Sequence, residues 1–324
     1  MKYVMATVCL FVMVCTSCKT MKESSVNSRA KIMKPEITGE WKHIYNPNDN
    51  HKNPGKGKWY TNDHCFVQDN DGKWHAYGIV GYLPARPWDV EKQLFHITAD
   101  SFTGEWKEHD FIKADARFEN HLWAPHVLKD NGTLYMTVTG GNRQKTARNY
   151  ASFGTVNLKT SKDGFKWTQE ECNPIVSDPG HARDSFILKD GKDYYLYYTR
   201  TVSEIDLRSA VAVKHSTDLK HWTAPKLVHI QPLRCNWGGD CESPFVIKKD
   251  GIYYMFICLA MTGYNKTQVF WSKDPNNFPK ENLVTELKTH ASEIIQDKDG
   301  NWFISDTGWD KKGLYIAPMK WVEK

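Results

Sequence analysis

The chain has 324 residues and a formal net charge of +5 at pH 7, with Lys and Arg scattered along it rather than gathered into runs. That pattern does not track a phosphate backbone, so nucleic acid is not an expected partner. Abundant Trp, Tyr and Phe, interspersed charges of both signs, and Gly, Asp and Asn between short apolar runs describe a globular, β-rich protein.

The N-terminus opens with Lys2, an apolar stretch from Tyr3 to Val14, and Cys15-Thr16-Ser17-Cys18. This is too short to span a bilayer and has the shape of an export signal. Small residues directly before Cys18 resemble a bacterial lipobox, which implies cleavage there and acylation of Cys18. Residues 1–17 are therefore expected to be a lipoprotein signal peptide and 18–38 a polar tether. The remainder, 39–324, is expected to be one domain, held at the periplasmic face or the cell surface by a lipid anchor in the membrane. An ordinary secretory signal is the alternative and also places the mature chain outside the cytoplasm. Beyond Cys18 come Cys65, Cys172, Cys235, Cys241 and Cys258, an odd number without a zinc-type CxxC pair. Cys235 and Cys241 bracket a Gly-Gly turn and are candidates for a disulfide.

One unit then recurs five times, an apolar strand, a polar turn with Gly, and an aromatic strand. The copies are FVQDNDGKWHAYGI from Phe66, HVLKDNGTLYMTV from His126, FILKDGKDYYLYYT from Phe186, FVIKKDGIYYMFI from Phe245 and EIIQDKDGNWFIS from Glu293. Alternating apolar residues around Asp-Gly or Asn-Gly turns predict hairpins. A second element follows in most copies: Ser161-Lys162-Asp163 before Trp167, Ser216-Thr217-Asp218 before Trp222, Ser272-Lys273-Asp274 before Phe278, and a looser Thr98-Ala99-Asp100 before Trp106. It is expected to add an outer strand and turn, giving four strands per unit. The pattern predicts an all-β, five-bladed β-propeller, with the segment Trp41 to Tyr45 pairing with the short last copy to close the ring. A β-sandwich is the runner-up and leaves the fivefold repeat unexplained.

In a propeller the first strand of every blade lines the central axis, so the residues that begin each copy converge. They are Asn62-Asp63-His64, Trp123-Ala124-Pro125-His126, Arg183-Asp184-Ser185, Cys241-Glu242-Ser243-Pro244 and His290-Ala291-Ser292-Glu293. Three blades deliver a carboxylate at nearly equivalent registers, about three residues before an apolar strand. Acids beside such runs are costly unless paired or open to a pocket.

This ordered set resembles the five-bladed glycoside hydrolases of families 43 and 32. Asn62-Asp63 is similar to an NDP element, Arg183-Asp184 to RDP, and Glu242-Ser243-Pro244 to the ECP or EGP element, while Trp123-Ala124-Pro125 followed by Tyr135 resembles a WAP segment. His64 and Ser185 stand where the pattern has proline, and Ser243 where it has Cys or Gly. The resemblance implies a hydrolase of plant or microbial oligo- or polysaccharides, acting on arabinofuranosides, xylosides or fructosides. It makes Glu242 the general acid, Asp63 the nucleophile or base and Asp184 the stabilising third acid, which is what glycosidic cleavage requires. Candidate substrate-binding residues are Trp123, His126, Arg183, Trp237, His290, Glu293 and Trp309. The specificity is expected to reside in the loops Tyr82 to Val90, Gly140 to Ala151 and Ser203 to Arg208. No cofactor is expected, with an axial structural ion near His290 as an implied option. Two other readings are a non-catalytic glycan-binding lipoprotein and, from His64, His121, His126, His181 and His290, a metal-dependent hydrolase.

Overall fold

A computed structural model describes residues 31–50, 57–141, 154–178, 181–202, 208–234 and 240–324. Cys18, Cys235 and Trp237 lie outside them, as do most of the loops 140–151 and 203–208. The described strands form five antiparallel sheets, the blades of a β-propeller. The first blade is built from Lys58–Gln68, Trp74–Leu83 and Gln93–Ala99, with two short outer strands. The second follows from Trp123–Asp130, Thr133–Thr139 and Thr155–Ser161, again with two outer strands. Arg183–Asp190, Asp193–Val202, Arg208–Ser216 and Lys226–Arg234 make the third, and Glu242–Lys249, Ile252–Cys258, Thr267–Ser272 and Leu283–Leu287 the fourth. The predicted inner hairpins thus occupy the first two strands of each blade. The recurring Ser-x-Asp ends the third strand and turns it: Ser161 Oγ accepts from the Gly164 N–H and Ser216 Oγ from the Leu219 N–H, while Asp163 and Asp218 accept from the following amides.

The fifth blade closes the ring with both ends of the chain. Ile294–Gln296, Trp302–Asp306 and Leu314–Glu323 are joined by Met33–Ile37, which pairs antiparallel with the last strand from Met33 opposite Glu323 to Ile37 opposite Met319. Lys42–Tyr45 pairs with the start of that same strand, as the sequence predicted. Met33–Ile37 falls in the segment assigned to the tether. Its five residues include a proline and two charges, so no strand pattern is visible, and the partner strand supplies what the local sequence lacks. Pro35 is tolerated because the strand lies at a sheet edge.

The core lies between blades. Phe186, Tyr197 and Val211 of the third blade pack with Val246, Tyr253 and Phe270 of the fourth, and comparable clusters fill the other four junctions. Second strands are therefore apolar on both faces, as in Ile252–Cys258, where every residue is buried. Cys241 is a buried free thiol in this junction.

The first strands of four blades carry a β-bulge, at the beginning of the strand in the second, third and fourth blades and within it in the first. Register shifts between Thr61 and His64, Trp123 and His126, Arg183 and Phe186, and Glu242 and Phe245. Ala124, Asp184, Ser243 and Ala291 have positive φ, from 41° to 54°, in successive blades. Such a bulge redirects side chains and commonly sits beside an active site.

Candidate active site

The bulges place the three predicted acids around one cavity of about 170 Å³, lined also by Trp123, Arg183 and Trp309. Their registers are less alike than the sequence indicated. Glu242 and Arg183 are the last paired residues before the shift, Asp184 directly follows it, and Asp63 directly precedes the point where pairing resumes at His64. The acids converge by occupying successive positions of the bulge, not by equivalence.

One network joins them. Arg183 Nη2 donates to Glu242 Oε1 at 2.8 Å, and its Nε lies 3.5 Å from Asp184 Oδ2. Ser243 links the other pair: its hydroxyl donates to Asp63 Oδ1 and its backbone N–H reaches Asp184 Oδ2 at 3.4 Å. The Asp184 amide is held by Thr139 Oγ1 at 3.0 Å. Burial raises the Glu242 carboxyl to about 7, with the Asp184 and Asp63 charges acting in the same direction and Arg183 opposing. Burial also raises Asp184 to about 6, helped by Asp63 and opposed by Arg183. Asp63 is raised by burial against the pull of the Ser243 hydrogen bond. Burial disfavours the charge on Arg183, yet Asp184 and Glu242 together outweigh it and hold the guanidinium charged. The arrangement raises Glu242 above Asp184, so that Glu242 is the better placed of the two to hold a proton near neutral pH, the division of labour that acid–base chemistry requires.

The lining also includes residues not singled out as site residues from the sequence, among them Tyr264, Glu91 and His181. Tyr264 enters from the loop between Ile252–Cys258 and Thr267–Ser272, and Glu91 from the corresponding loop of the first blade. Nothing in Met261-Thr262-Gly263-Tyr264 announces Tyr264. Glu91 stands three residues before the apolar Leu94-Phe95, so the criterion that found the other acids also applied to it. His181, considered only as a metal ligand, forms part of the wall and is held neutral, its pKa lowered to about 3 by burial and by Arg183.

Asp63 and Asp184 also border a second, smaller space on the axis, about 30 Å³, lined by His64, His126, Ser185, Ser292 and Glu293. His126 and Glu293, expected to bind substrate, lie in this axial chamber and not among the residues lining the cavity. The His126 ring donates from Nε2 to the Ile187 carbonyl at 3.2 Å, and Glu293 accepts from the Phe66 amide at 3.0 Å. His290, also expected to bind substrate, is not among the residues lining either space: Nδ1 donates to the Thr307 carbonyl at 3.0 Å and the ring meets Tyr264, a cavity residue, edge-on at 5.3 Å. Among the described residues no three His, Cys, Asp or Glu side chains gather as a metal site. The five histidines are dispersed, with His121 stacked on Trp123 at 3.7 Å.

Fold and site together define a five-bladed propeller with an acidic, aromatic-walled cavity at its axis. The family model of the glycosyl hydrolases family 32 N-terminal domain matches residues 51–231, more than half of the chain, and that of glycosyl hydrolases family 43 matches residues 171–323. The chain belongs to the propeller glycosyl hydrolases of the family 32 and family 43 type. It is 23% identical over 235 residues to a protein of Aspergillus clavatus named "Probable arabinan endo-1,5-alpha-L-arabinosidase C", covering 67% of this chain and 65% of that one. It is 24% identical to a xylosidase/arabinosidase of Butyrivibrio fibrisolvens, over 56% of this chain and 37% of that protein. The chain thus spans less than two thirds of the length of these curated relatives. Among solved structures, an endo-arabinase from Bacteroides thetaiotaomicron superposes with a TM-score of 0.63 at 15% identity, covering 80% of this chain and 94% of that one. A family 32 β-fructofuranosidase of Bombyx mori superposes with a TM-score of 0.60 at 16% identity, over 83% and 61%. At such identities the superpositions establish the fold.

Proposed function

We propose that this chain hydrolyses glycosidic bonds in plant or microbial oligo- or polysaccharides, with Glu242 as general acid, Asp63 as nucleophile or general base, and Asp184 as the acid that holds the Glu242 proton. The observation that carries the reading is the meeting of three carboxylates from three blades in one cavity, with Glu242 raised to about 7. Glycosidic cleavage needs a protonated group at the leaving oxygen and an ionised one on the opposite face of the sugar. The Arg183 guanidinium, shared between Asp184 and Glu242, lets these charges coexist in a buried site.

Trp123 and Trp309 form walls suited to stack on a sugar face, and Arg183, which lines the same cavity, is the candidate to hydrogen-bond hydroxyls. Arabinofuranosides lead the candidate substrates, because an arabinan-degrading name occurs among both the sequence relatives and the structural neighbours. Xylosides and fructosides come next. Residues 1–18 support an exported chain anchored to the membrane through a lipid on Cys18, which labelled fatty acid should enter in the wild type and not in Cys18→Ala. The activity is tested by incubating the purified protein with arabinan, xylan, sucrose-type fructosides and aryl-glycosides and following new reducing ends. Release from at least one is expected. A protein that binds these glycans and cleaves none is a binding module.

A further inference from the structure

The wall of the cavity contains a fourth acid, Glu91, that the mechanism above leaves unused. It follows the one-turn helix Pro87–Val90, in the loop that leads from the second to the third strand of the first blade. Only 2% of the residue is exposed. A carboxylate so deeply buried is costly unless its oxygens find donors. The partners it finds are neutral and aromatic: Tyr60 Oη donates to Oε1 at 2.9 Å and the Trp309 indole Nε1 donates to the same oxygen at 3.4 Å.

A main-chain contact extends this to the second blade: the Glu91 carbonyl accepts from the Leu122 amide at 2.9 Å, directly before Trp123. The Trp123 indole N–H is itself buried without a hydrogen-bond partner. Burial raises the Glu91 carboxyl to about 7, with the hydrogen bonds from Tyr60 and Trp309 opposing. Trp309 in turn is packed edge-on against Tyr60 at 6.5 Å and against Tyr264 at 4.8 Å. Glu91 therefore holds the Trp309 indole of the fifth blade through its side chain and the chain before Trp123 of the second through its carbonyl, and both tryptophans line the cavity.

We infer that Glu91 is a positioning residue for saccharide recognition: its carboxyl group fixes the Trp309 indole and its carbonyl the chain before Trp123, as a rigid platform for a sugar ring, and so sets affinity and not the rate of bond cleavage. Stacking on a ring face is worth most when the aromatic is already oriented, because no rotamer freedom is then lost on binding. A glutamine at this position keeps one acceptor oxygen for Tyr60 and Trp309, a weaker one than a carboxylate oxygen. An alanine leaves the Tyr60 hydroxyl and the Trp309 indole N–H without this acceptor.

The inference rests on the glycoside hydrolase reading, and the test separates the two. Wild type, Glu91→Gln and Glu91→Ala are compared on 4-nitrophenyl α-L-arabinofuranoside and 4-nitrophenyl β-D-xylopyranoside, with thermal melting as the check on folding. In Glu91→Ala, KM is expected to rise about tenfold or more while kcat changes less than about threefold, the signature of lost uniform binding. Glu91→Gln should lie between and carries the test if the alanine variant does not fold. A fall in kcat at constant KM, or no change in either constant for a folded variant, overturns the inference. Calorimetric titration with arabinotriose and xylotriose supplies the second readout. If the wild type cleaves neither aryl-glycoside, the hydrolase reading fails on these substrates, and about tenfold weaker trisaccharide binding by Glu91→Ala still supports the platform. Equal affinities contradict the platform, and a wild type that neither cleaves nor binds contradicts both.

Discussion

The cavity and the axial chamber are built from the same strand beginnings and share Asp63 and Asp184, yet they differ in kind. The cavity receives Arg183, Glu242 and the loop residues Glu91 and Tyr264, so charge is concentrated there and balanced by one guanidinium. The chamber receives His64, His126, Ser185, Ser292 and Glu293, and apart from His126 Nδ1 at 3.7 Å from Glu293 Oε1 the contacts described for them are hydrogen bonds to backbone and neutral side chains, such as His64 Nε2 with Ser305 Oγ at 2.7 Å. The bulge makes the difference. Arg183 lines one space and Ser185 the other, and Asp184, at positive φ between them, borders both. A short irregularity thus separates the wall of the cavity from that of the chamber within three residues.

Replacing residues on each side of the divide should break or sharpen this contrast. The largest effect is expected for Asp63→Asn, which removes the attacking or base-acting carboxylate. Turnover should fall by about 10³-fold or more on activated and natural substrates alike, because that group is needed whatever the leaving group. Retention of substantial turnover on both would remove Asp63 from this role.

Next in size is Arg183→Met. It leaves Asp184 and Glu242 buried without their cation, and breaking a buried pair in this way costs on the order of 3–5 kcal/mol. Chemical denaturation should register the loss together with a large fall in kcat. A variant as stable and as active as the wild type would refute the claim that Arg183 lets the acids coexist.

Asp184→Asn tests the electrostatic coupling. Glu242 works protonated and its pKa lies near 7, so the rate should decline as pH rises through that value. Removing the Asp184 charge lowers the Glu242 pKa, and the basic limb of the pH profile should move to lower pH. The sign carries over to stability. A carboxyl whose folded pKa exceeds its unfolded value of about 4.3 adds stability that is complete below that value and lost as pH rises toward 7. Glu242→Gln should therefore flatten the decline of stability between about pH 4 and 7.

The smallest catalytic effect is expected from His126→Phe in the axial chamber. Losing the bond to the Ile187 carbonyl should cost about 1–3 kcal/mol in stability and change kcat by less than about threefold. A folded variant with strongly reduced kcat would extend the reactive region into the chamber.

The repeat made the fold legible from the sequence, because each blade carries its own turn glycine and alternating strand. Closure was legible at Lys42–Tyr45 but not at Met33–Ile37, whose strand state is imposed by the last strand and not by its own residues. Asp63, Asp184, Glu242, Arg183, Trp123 and Trp309 were legible because they stand at repeat beginnings or beside apolar runs. His126 and Glu293 stand at equivalent beginnings yet fall in the chamber, since the sequence does not reveal on which side of a bulge a side chain emerges. Tyr264 was hidden because a loop residue reaches the site through backbone path alone, and Glu91 was passed over because attention stayed on first strands.

The central claim is that Glu242 donates the proton to the departing oxygen, and the most direct measurement compares Glu242→Gln with wild type on an arabino-oligosaccharide and an aryl-glycoside with a good leaving group. General acid catalysis is typically worth about 10² to 10⁴ in rate, and only where the leaving group needs a proton. The account predicts a loss of that size on the oligosaccharide with most activity kept on the aryl-glycoside. Equal losses on both substrates would contradict it.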